Sequence, residues 1–430
     1  MTGQQTKISE SIQTENDLIS SETPHITKQH IQQADEPTLD SCCSIATPMH
    51  RRLQTMAVAW HCSSFVVFTL INLFLLSSPF CWLFMIPYLI YFFNDRSPAN
   101  GNVVNRYSLW FRSLYIWDLY CEYFPVSLIK SADLKPTFSW EPQQLINDDN
   151  ENTSKIDKAS NNGWKIRIWP STYRINIKKR LQNNDSQTPK GEIKATGPRY
   201  IFGYHPHGIG ALGAFGAFGT EGCHWSKKFP GIPISLMTLV TQFHIPLYRD
   251  YLLALGITSV SRKNALKVLQ NNQSICIVVG GARESLLTEP NKVELILNKR
   301  KGFIKLALET GNVGVVPTFV FGENNTYQIF RSRENSWLRN IQLWIKANFG
   351  FTIPIFYARG LFNYDFGLLP FRTPLTVITG KPIYIKEKIN NPSEDIVNHY
   401  HELYIEELKN IYCDYRDQYD MSDVDFNIVG

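Results

Sequence analysis

No charged side chain occurs between Thr55 and Phe93, and this run constrains the fold more than any other feature of the sequence. A helix of 39 residues is ~58 Å long at 1.5 Å per residue, about twice the ~30 Å hydrocarbon core of a bilayer. Ser78-Pro79 lies near the middle of the run, where a proline interrupts a helix and favours a change of direction. The run therefore predicts a membrane-embedded hairpin, re-entrant or two-span; the alternative is a segment buried in a protein core.

The composition changes on both sides of this hairpin, which we assign to residues 51–96. Residues 1–50 are rich in Ser, Thr, Gln and Asn and poor in large apolar residues, which predicts a disordered tail. Residues 97–197 are expected to hold an interfacial helix and a polar insertion. Arginines flank the hairpin on both sides: Arg51, Arg52 and Arg96. This flanking charge predicts that both ends of the hairpin face the cytosol.

Within residues 97–197, the segment Tyr107–Ile129 carries aromatic residues at helical spacing with scattered charges between them. That pattern is typical of a helix lying in the membrane interface, and a helix packed on a protein core is the alternative. Polar stretches follow at 147–162 and 182–197. Between them, "WKIRIW" and "YRINIK" alternate apolar and basic residues, which predicts a short exposed hairpin.

Residues 198–430 show the alternation of strands and helices that is typical of one α/β domain. Buried strands are predicted at Tyr200–Tyr204, Ile257–Val260, Ile275–Val279 and Val313–Phe321, and "PLTVITGKPIYI" predicts a further strand pair. Helices are predicted at Asn264–Gln270 and at Lys301–Thr310, the second closed by Gly311. A C-terminal amphipathic helix starts after Ser393 as its N-cap. Its apolar stripe is Val397, Tyr400, Tyr404, Leu408, Ile411 and Tyr415.

Charge and cysteine content exclude some classes of protein. The formal net charge is only +5, which does not indicate a nucleic-acid partner but is compatible with contact to anionic lipid or phosphate. The eight cysteines show neither a C-x-x-C pair nor a regular spacing, so they do not form a disulfide framework. We therefore expect the catalytic part to face a reducing compartment, the cytosol.

The stretch "YIFGYHPHGIGALGAFGAFGTEG" (200–222) places His205 and His207 at the end of a predicted strand. Its G-x-G-x-x-G spelling does not indicate a dinucleotide site, because the histidines separate the strand from the glycines and the expected acid ~20 residues later is missing. A zinc pair is a weak alternative, since His224, His244 and Asp250 complete no known ligand pattern. A histidine can also exchange a proton near neutral pH. The residues alone leave two interpretations of this pair: acid–base chemistry, or two structural histidines that cap a strand.

Glycines recur every third residue at 213, 216, 219 and 222. Such a run permits either the close approach of a neighbouring helix or a flat floor for a long substrate. We favour the substrate floor.

Six motifs in a fixed order together resemble the type-2 diacylglycerol acyltransferase family, most closely its fungal members. They are "YFP" (123–125), "YHPHG" (204–208), "GGARES" (280–285), "KRKGFIKLAL" (299–308), "VPTFVFGEN" (316–324) and "FGLLPFRTPLTVITGKPI" (366–383). The neutral-lipid motif of the F-L-x-L kind is not matched, because "FTLINLFL" is only similar. The resemblance implies a glycerolipid-acyltransferase-like α/β catalytic domain behind the membrane hairpin.

The resemblance further implies transfer of a fatty acyl group from acyl-CoA, as co-substrate, to the free hydroxyl of diacylglycerol. A histidine base serves this reaction without metal or cofactor, because the thiolate leaving group is good. The implied catalytic residues are the histidines of the motif, His207, the preferred base, and His205. Glu284 and Glu323 are the candidates to orient the imidazole, because each follows a predicted strand, where active-site loops gather. A helix-capping or surface acid is the alternative for each of them. Substrate contacts are expected at Tyr123, Phe124, Pro125, Tyr204, Pro206, Gly208, Gly210, Gly280, Gly281, Lys299, Arg300, Lys301 and Arg359. Backbone N–H groups around Gly208–Gly210 or Gly280–Gly281 are expected to hold the oxyanion. The basic residues among these contacts, together with Arg262 and Lys263, are expected to bind the CoA phosphates.

A membrane hairpin and a cytosol-facing catalytic domain suit a reaction between a bilayer lipid and soluble acyl-CoA. The resemblance implies the endoplasmic reticulum membrane and is compatible with a lipid-droplet monolayer and with a homo-oligomer. Related acceptors, monoacylglycerol or a long-chain alcohol, are alternatives within the same chemistry. A non-catalytic membrane scaffold is the alternative from another class, and it would have no use for the His-Pro-His-Gly loop.

Overall fold

A mixed sheet forms the centre of the molecule in the computed structural model, which describes residues 49–142, 191–329, 340, 344, 356–361 and 366–430. Eight of the described strands form this sheet: β1 (Ser127–Lys130), β4 (Arg199–His205), β5 (Ile234–Thr238), β6 (Thr258–Ser259), β7 (Ser274–Val278), β9 (Val313–Phe321), β12 (Thr376–Thr379) and β13 (Ile383–Ile385). They join in the order β1-β12-β9-β4-β7-β5-β6, with β13 added beside β9. The two-stranded pairs are formed by β2 (Phe138–Pro142) and β3 (Gly191–Ala195), β8 (Val293–Leu295) and β14 (Phe426–Ile428), and β10 (Gln328–Ile329) and β11 (Phe356–Tyr357).

Helices surround this sheet. In chain order they are α1 (Met49–Ser77), α2 (Trp82–Asn94), α3 (Val103–Arg106), α4 (Leu109–Arg112), α5 (Tyr115–Tyr123), α6 (Leu212–Ala214), α7 (Trp225–Lys228), α8 (Tyr248–Ala254), α9 (Arg262–Gln270), α10 (Gly302–Thr310) and α11 (Glu394–Tyr415). The Ser393 hydroxyl accepts a hydrogen bond from the Ile396 N–H, so the predicted N-cap of α11 is confirmed. Gly311 ends α10 with φ +68°, a conformation that favours glycine, so the predicted end of α10 is confirmed too.

Five neighbouring strands of the sheet, β9, β4, β7, β5 and β6, are parallel. Their side chains are almost entirely buried: every residue of β9 lies below the surface, as expected for a sheet covered on both faces. The four buried strands predicted beyond residue 198 are confirmed, although the one at Ile257–Val260 is only two residues long. Since parallel strands end on the same edge, the loops after β4, β7 and β9 meet there.

Two details of the sheet differ from the sequence prediction. The strands of "PLTVITGKPIYI" do not pair with each other, because β12 and β13 each pair with a different part of the long strand β9. The strand β1 joins the sheet through β12 although it precedes residue 198. The sheet therefore uses more of the chain than the predicted 198–430 segment.

The uncharged run folds as two helices with a break at Ser78-Pro79, as predicted. In the described part of the chain, α1 is the one helix long and apolar enough to cross a membrane, with a mean hydropathy of 1.7 over its most apolar stretch. The second helix, α2, has 13 residues and is ~20 Å long, shorter than a ~30 Å hydrocarbon core. Its length does not support a second full span and agrees better with the re-entrant form of the hairpin.

One face of α1 packs against the rest of the protein and the other is exposed. The buried residues of the helix are Gln54, Ala57, Val58, Ser64 and Asn72. The Asn72 amide donates to the Pro246 carbonyl at 2.8 Å. On the other side, Leu73 and Phe74 expose about two thirds of their surface, 60% and 68%. The helix therefore has a protein-facing side with polar residues and an apolar side suited to lipid.

The aromatic segment Tyr107–Ile129 is not one interfacial helix. It folds as the short helices α4 and α5 followed by most of strand β1. Trp117 and Tyr120 are buried, and the Arg112 guanidinium is fully enclosed, donating to the Leu255 carbonyl at 2.6 Å. The core-packing alternative is therefore correct, and the Arg112 charge finds its partners inside the protein, the Leu255 and Phe218 carbonyls. Trp110 and Tyr115 are exceptions, 70% and 58% exposed.

The glycine run is also explained by packing. A Cβ at Gly216 would meet the Cys121 sulfur at 3.2 Å, and one at Gly222 would meet the Trp117 carbonyl oxygen at 2.5 Å. Both neighbours belong to α5, so the small residues let this helix approach the chain closely. The substrate-floor interpretation is wrong for these glycines, because Gly213, Gly216 and Gly219 are buried and Gly222 is half-buried against α5.

Some predictions lie outside the described residues. The tail, apart from the first residues of α1, the polar stretch 147–162 and the "WKIRIW"–"YRINIK" hairpin belong to this group. The second polar stretch, 182–197, is described from residue 191 onward, where it forms β3 and pairs with β2.

Candidate active site

The loops that follow three neighbouring parallel strands carry the predicted catalytic residues. Strand β4 ends at His205 and leads to His207, β7 leads to Glu284, and β9 leads to Glu323. This edge of the sheet is where α/β proteins place their ligand sites. The structure therefore brings the four predicted catalytic side chains to one place.

His207 is half-buried, and its ring has a defined orientation. Its Nδ1 lies 2.9 Å from the carbonyl oxygen of Gly208. A carbonyl can only accept, so Nδ1 carries the hydrogen and Nε2 of the neutral ring carries the lone pair. Burial lowers the pKa of His207 below its ordinary value of 6.5, despite the opposing effect of the Gly208 carbonyl. His207 is therefore neutral at pH 7, with Nε2 able to accept a proton.

His205 occupies a different environment. Its side chain is fully buried, and Nε2 lies 2.9 Å from the hydroxyl of Tyr404 on α11. Burial, with smaller contributions from His401 and His207, lowers the pKa of His205 to about 3. A ring that is enclosed and so difficult to protonate is a poor general base. This contrast supports the preference for His207.

Glu284 holds the backbone of the histidine loop. It is 2% exposed, and its Oε1 accepts from the His207 backbone N–H at 2.7 Å. Its Oε2 accepts from the Ile296 N–H at 2.8 Å. Burial raises the pKa of Glu284 to about 7, although these two hydrogen bonds lower it in part.

Glu323 holds the other end of the same loop. It is 1% exposed; Oε1 accepts from the Leu212 N–H at 2.7 Å, and Oε2 accepts from the Gly213 N–H at 3.0 Å and the Tyr204 hydroxyl at 2.8 Å. Burial raises its pKa to about 7 as well. A Cβ at Gly208 would lie 2.6 Å from the Glu323 Cγ, and φ there is +57°, so position 208 strongly favours glycine.

The two carboxyl groups therefore do not make the predicted contact, a hydrogen bond that orients an imidazole ring. Among the described residues, neither of them hydrogen-bonds an imidazole ring; the Gly208 carbonyl and the Tyr404 hydroxyl do so instead. Together, Glu284 and Glu323 fix the loop on both sides of His207. A catalytic role for either carboxyl stays a prediction.

The raised carboxyl pKa values give stability a pH dependence. Each group has a folded pKa of about 7 against an ordinary 4.5, so the folded state binds more protons and unfolding becomes easier as pH rises between these values. We expect the thermal unfolding temperature in detergent to fall over this range. The decrease should be smaller in Glu284→Gln, whose side chain does not titrate. Equal slopes for the variant and the parent protein would contradict the shift at Glu284.

Of the two glycines after β7, Gly280 is packed against Glu284 and Gly281 lies beside open space. A Cβ at Gly281 would meet nothing within 4 Å. The Gly280 carbonyl accepts from Arg300 at 3.0 Å, so one predicted phosphate-binding side chain is tied to this pair. Lys301 is half-buried and donates to the Asn398 side chain at 2.7 Å, whereas Lys299 is exposed. The structure thus brings Gly280–Gly281 and the 299–301 segment together.

The remaining basic candidates lie elsewhere. Arg262 forms an ion pair with Glu309, and Lys263 is exposed on α9. Arg359 is 5% exposed and donates to the Tyr123 hydroxyl at 3.3 Å. Its position is that of a buried residue beside the "YFP" motif, which does not suit a contact with a CoA phosphate.

The "YFP" motif itself belongs largely to the core. Tyr123 and Phe124 are fully buried, and the Tyr123 hydroxyl donates to the Pro370 carbonyl at 2.7 Å. Pro125 is exposed at the turn into β1. These contacts connect α5 to the segment before β12, so Tyr123 and Phe124 pack against protein where direct substrate contact was expected.

Sequence reasoning missed one residue that contacts the histidine motif. Tyr404 was assigned to the apolar stripe of α11, and its ring does pack there, edge-on to Phe303 with centroids 4.8 Å apart. Its hydroxyl, however, reaches His205. The tyrosines in the stripe could have indicated such a contact, because a buried tyrosine hydroxyl usually has a hydrogen-bond partner.

Comparisons with known proteins point to one family of acyltransferases. A family model described as diacylglycerol acyltransferase matches residues 74–142 and 190–429. The chain is 61% identical over 399 residues to Diacylglycerol O-acyltransferase 1 of Saccharomyces cerevisiae, covering 93% of this chain and 91% of that protein. It is 53% identical over 365 residues to the protein of the same name from Eremothecium gossypii, covering 85% and 76%. It is 34% identical over 381 residues to 2-acylglycerol O-acyltransferase 1 of Bos taurus, covering 86% and 94%. No solved structure gives a significant match.

Proposed function

The chain belongs to the diacylglycerol acyltransferase family, and we propose that it transfers a fatty acyl group from acyl-CoA to the free hydroxyl of diacylglycerol, with His207 as general base. The observation that carries the choice of base is the hydrogen bond between Nδ1 of His207 and the Gly208 carbonyl, which leaves the Nε2 lone pair for the substrate. The α/β domain is then of the glycerolipid-acyltransferase kind.

The proposed reaction is a direct acyl transfer. Nε2 of His207 removes the hydroxyl proton as the acceptor oxygen attacks the thioester carbonyl carbon. The new carbon–oxygen bond forms, the carbon–sulfur bond breaks, and the imidazolium returns its proton to the CoA thiolate. The products are triacylglycerol and CoA. The Gly208 carbonyl accepts the hydrogen bond from Nδ1 in both protonation states, and it stabilises the imidazolium because the bond is stronger when the ring is charged.

The oxyanion of the tetrahedral intermediate needs hydrogen-bond donors. We propose backbone N–H groups of Gly208–Gly210 or Gly280–Gly281 for this role. The open space beside Gly281 supports the second group, because a thioester needs room there. Lys299, Arg300 and Lys301 are the proposed contacts for the CoA phosphates, since Arg300 connects this segment to Gly280.

We propose that the enzyme works at the endoplasmic reticulum membrane, with the catalytic domain on the cytosolic side and access to lipid droplets. The candidate membrane helix α1 supports a membrane-bound enzyme. In this proposal, the docked face of the helix keeps the bilayer beside the domain that holds His207. Diacylglycerol can therefore approach from the membrane while acyl-CoA arrives from the cytosol.

The acceptor is tested in microsomes from cells that lack other triacylglycerol synthesis. Labelled oleoyl-CoA is supplied with diacylglycerol or with 2-monoacylglycerol, and products are separated by thin-layer chromatography. We expect triacylglycerol as the main product. The 34% identical 2-acylglycerol O-acyltransferase makes monoacylglycerol the second candidate acceptor. Acylation of monoacylglycerol alone would replace the proposed acceptor but keep the chemistry.

A further inference from the structure

The C-terminal helix α11 lies against the strand that carries the histidine motif. Its residue Tyr404 is fully buried, and the hydroxyl has two partners near the end of β4. It donates to the carbonyl oxygen of Gly203 at 3.1 Å, and it lies 2.9 Å from Nε2 of His205. One side chain, about 200 residues away in sequence, thus contacts both backbone and side chain of the strand just before His207.

These two contacts determine the state of the His205 ring. The single hydrogen of the Tyr404 hydroxyl goes to the Gly203 carbonyl, so its oxygen accepts a hydrogen bond from Nε2 of His205. His205 is therefore neutral with the hydrogen on Nε2. Its Nδ1 is a buried acceptor without a partner in the described part of the chain, so Tyr404 provides the one side-chain hydrogen bond of this ring.

The glycine at position 203 is a second, independent sign of the same arrangement. A Cβ built there would lie 2.0 Å from the Tyr404 hydroxyl oxygen and 2.9 Å from the carbon that bears it. Gly203 sits inside a buried strand, where glycine is ordinarily unfavourable. Position 203 is a glycine because the Tyr404 hydroxyl occupies the space that a side chain would need.

We infer that Tyr404 is a positioning residue for the acyl transfer: through the Gly203 carbonyl and the His205 ring, it fixes the end of β4 from which His207 projects. The inference rests on the proposed function, in which His207 is the base. Tyr404 itself touches neither substrate in this role. It acts through the strand, and losing its hydroxyl should misplace the base without weakening substrate binding.

The first test compares Tyr404→Phe with the matched control Tyr412→Phe. Tyr412 is also buried on α11, but its hydroxyl donates to the Val424 carbonyl at 2.6 Å, away from the histidine motif. Both variants lose one buried hydroxyl, so a general loss of stability should affect them alike. We expect Tyr404→Phe to lower kcat about tenfold with KM for both substrates unchanged, because a misplaced base affects the chemical step. The control should keep the parent kcat per folded protein.

The second test uses the close contact at Gly203. Gly203→Ala should lower the thermal unfolding temperature, because the new methyl group overlaps the tyrosine hydroxyl. In the double variant Gly203→Ala with Tyr404→Phe, the worst overlap is gone, so part of the unfolding temperature should return. The kcat of the double variant should stay no higher than that of Tyr404→Phe.

Each result has a defined meaning. If Tyr404→Phe keeps the parent kcat, the inference is wrong. The proposed function still stands in that case, because the parent protein makes triacylglycerol. Equal losses of kcat in Tyr404→Phe and Tyr412→Phe also overturn the inference, since the effect is then structural. A double variant with fully restored kcat overturns it as well, because activity would then follow stability and not the hydroxyl. A parent protein without acyltransferase activity contradicts the proposed function itself.

Discussion

Replacement of His207 by alanine is expected to lower kcat for triacylglycerol synthesis by about 10²- to 10⁴-fold, the contribution typical of a general base. The side chain is half-buried at the edge of the sheet, and its Nδ1 is held by the Gly208 carbonyl, so only Nε2 is left to take the acceptor proton. Labelled oleoyl-CoA and diacylglycerol in microsomes, with protein amounts matched by immunoblot, measure the effect.

Two further variants make the result specific. His205→Ala should lower kcat less, because His205 is fully buried and acts through position alone. His399→Ala is the control, since His399 is exposed on α11. An active His207→Ala enzyme beside an inactive His205→Ala enzyme would reverse the assignment of the base. Full activity in both would mean that the loop is structural.

Replacement of Glu323 by alanine is expected to reduce both activity and stability strongly. Its carboxylate accepts three hydrogen bonds, from the Leu212 and Gly213 N–H groups and the Tyr204 hydroxyl. Each donor left buried without a partner costs about 1–3 kcal/mol, so the loop after His207 should lose its fixed shape. We expect kcat to fall at least about 100-fold and the unfolding temperature to fall by several degrees.

The conservative variant and a surface control refine this test. Glu323→Gln keeps the shape but replaces one accepting oxygen by an NH₂ group, so its effects should be intermediate. Glu406→Ala, at an exposed position of α11, should leave both measurements unchanged. A Glu323→Ala protein with normal kcat would show that the carboxylate does not hold the catalytic loop.

Local patterns predicted the parts of this fold that depend on neighbouring residues. The long apolar strand β9, the end of α10 at Gly311 and the start of α11 at Ser393 follow from hydrophobic runs and from capping residues. Because the strands at β4, β7 and β9 were predicted, the gathering of His207, Glu284 and Glu323 after them was predictable too. Their carboxyl ends meet at one edge when the strands are parallel.

Contacts between distant segments were not predictable from one sequence. Charged residues in the segment 107–129 suggested a membrane interface, yet the Arg112 side chain is buried because the Leu255 and Phe218 carbonyls accept its hydrogen bonds. Similarly, the glycine spacing could not show that α5 would fill the space beside Gly216. In both cases the partner lies about 90 to 150 residues away in the chain.

The direction of individual side chains was the least predictable feature of the site. Motif spacing brought Glu284 close to His207 but could not show that the carboxylate meets the backbone N–H and not the ring. The sequence also presented Tyr404 as one residue in an apolar stripe. A hydrophobic pattern records the ring of a tyrosine and contains no information on the partner of its hydroxyl.

The docked face of α1 has a consequence for how the protein is made. Ala57 and Val58 belong to the same hydrophobic cluster as the sheet, so the helix completes the core and does more than tether it. The helix ends at Ser77 and strand β4 begins at Arg199, so the ribosome delivers the helix first and the sheet assembles against it afterwards. A shortened chain that starts beyond residue 96 would lack helix α1 and would expose the apolar surface that this helix covers. We therefore expect recombinant production of an active enzyme to need the amino-terminal helix, together with a detergent or lipid that covers its exposed apolar side.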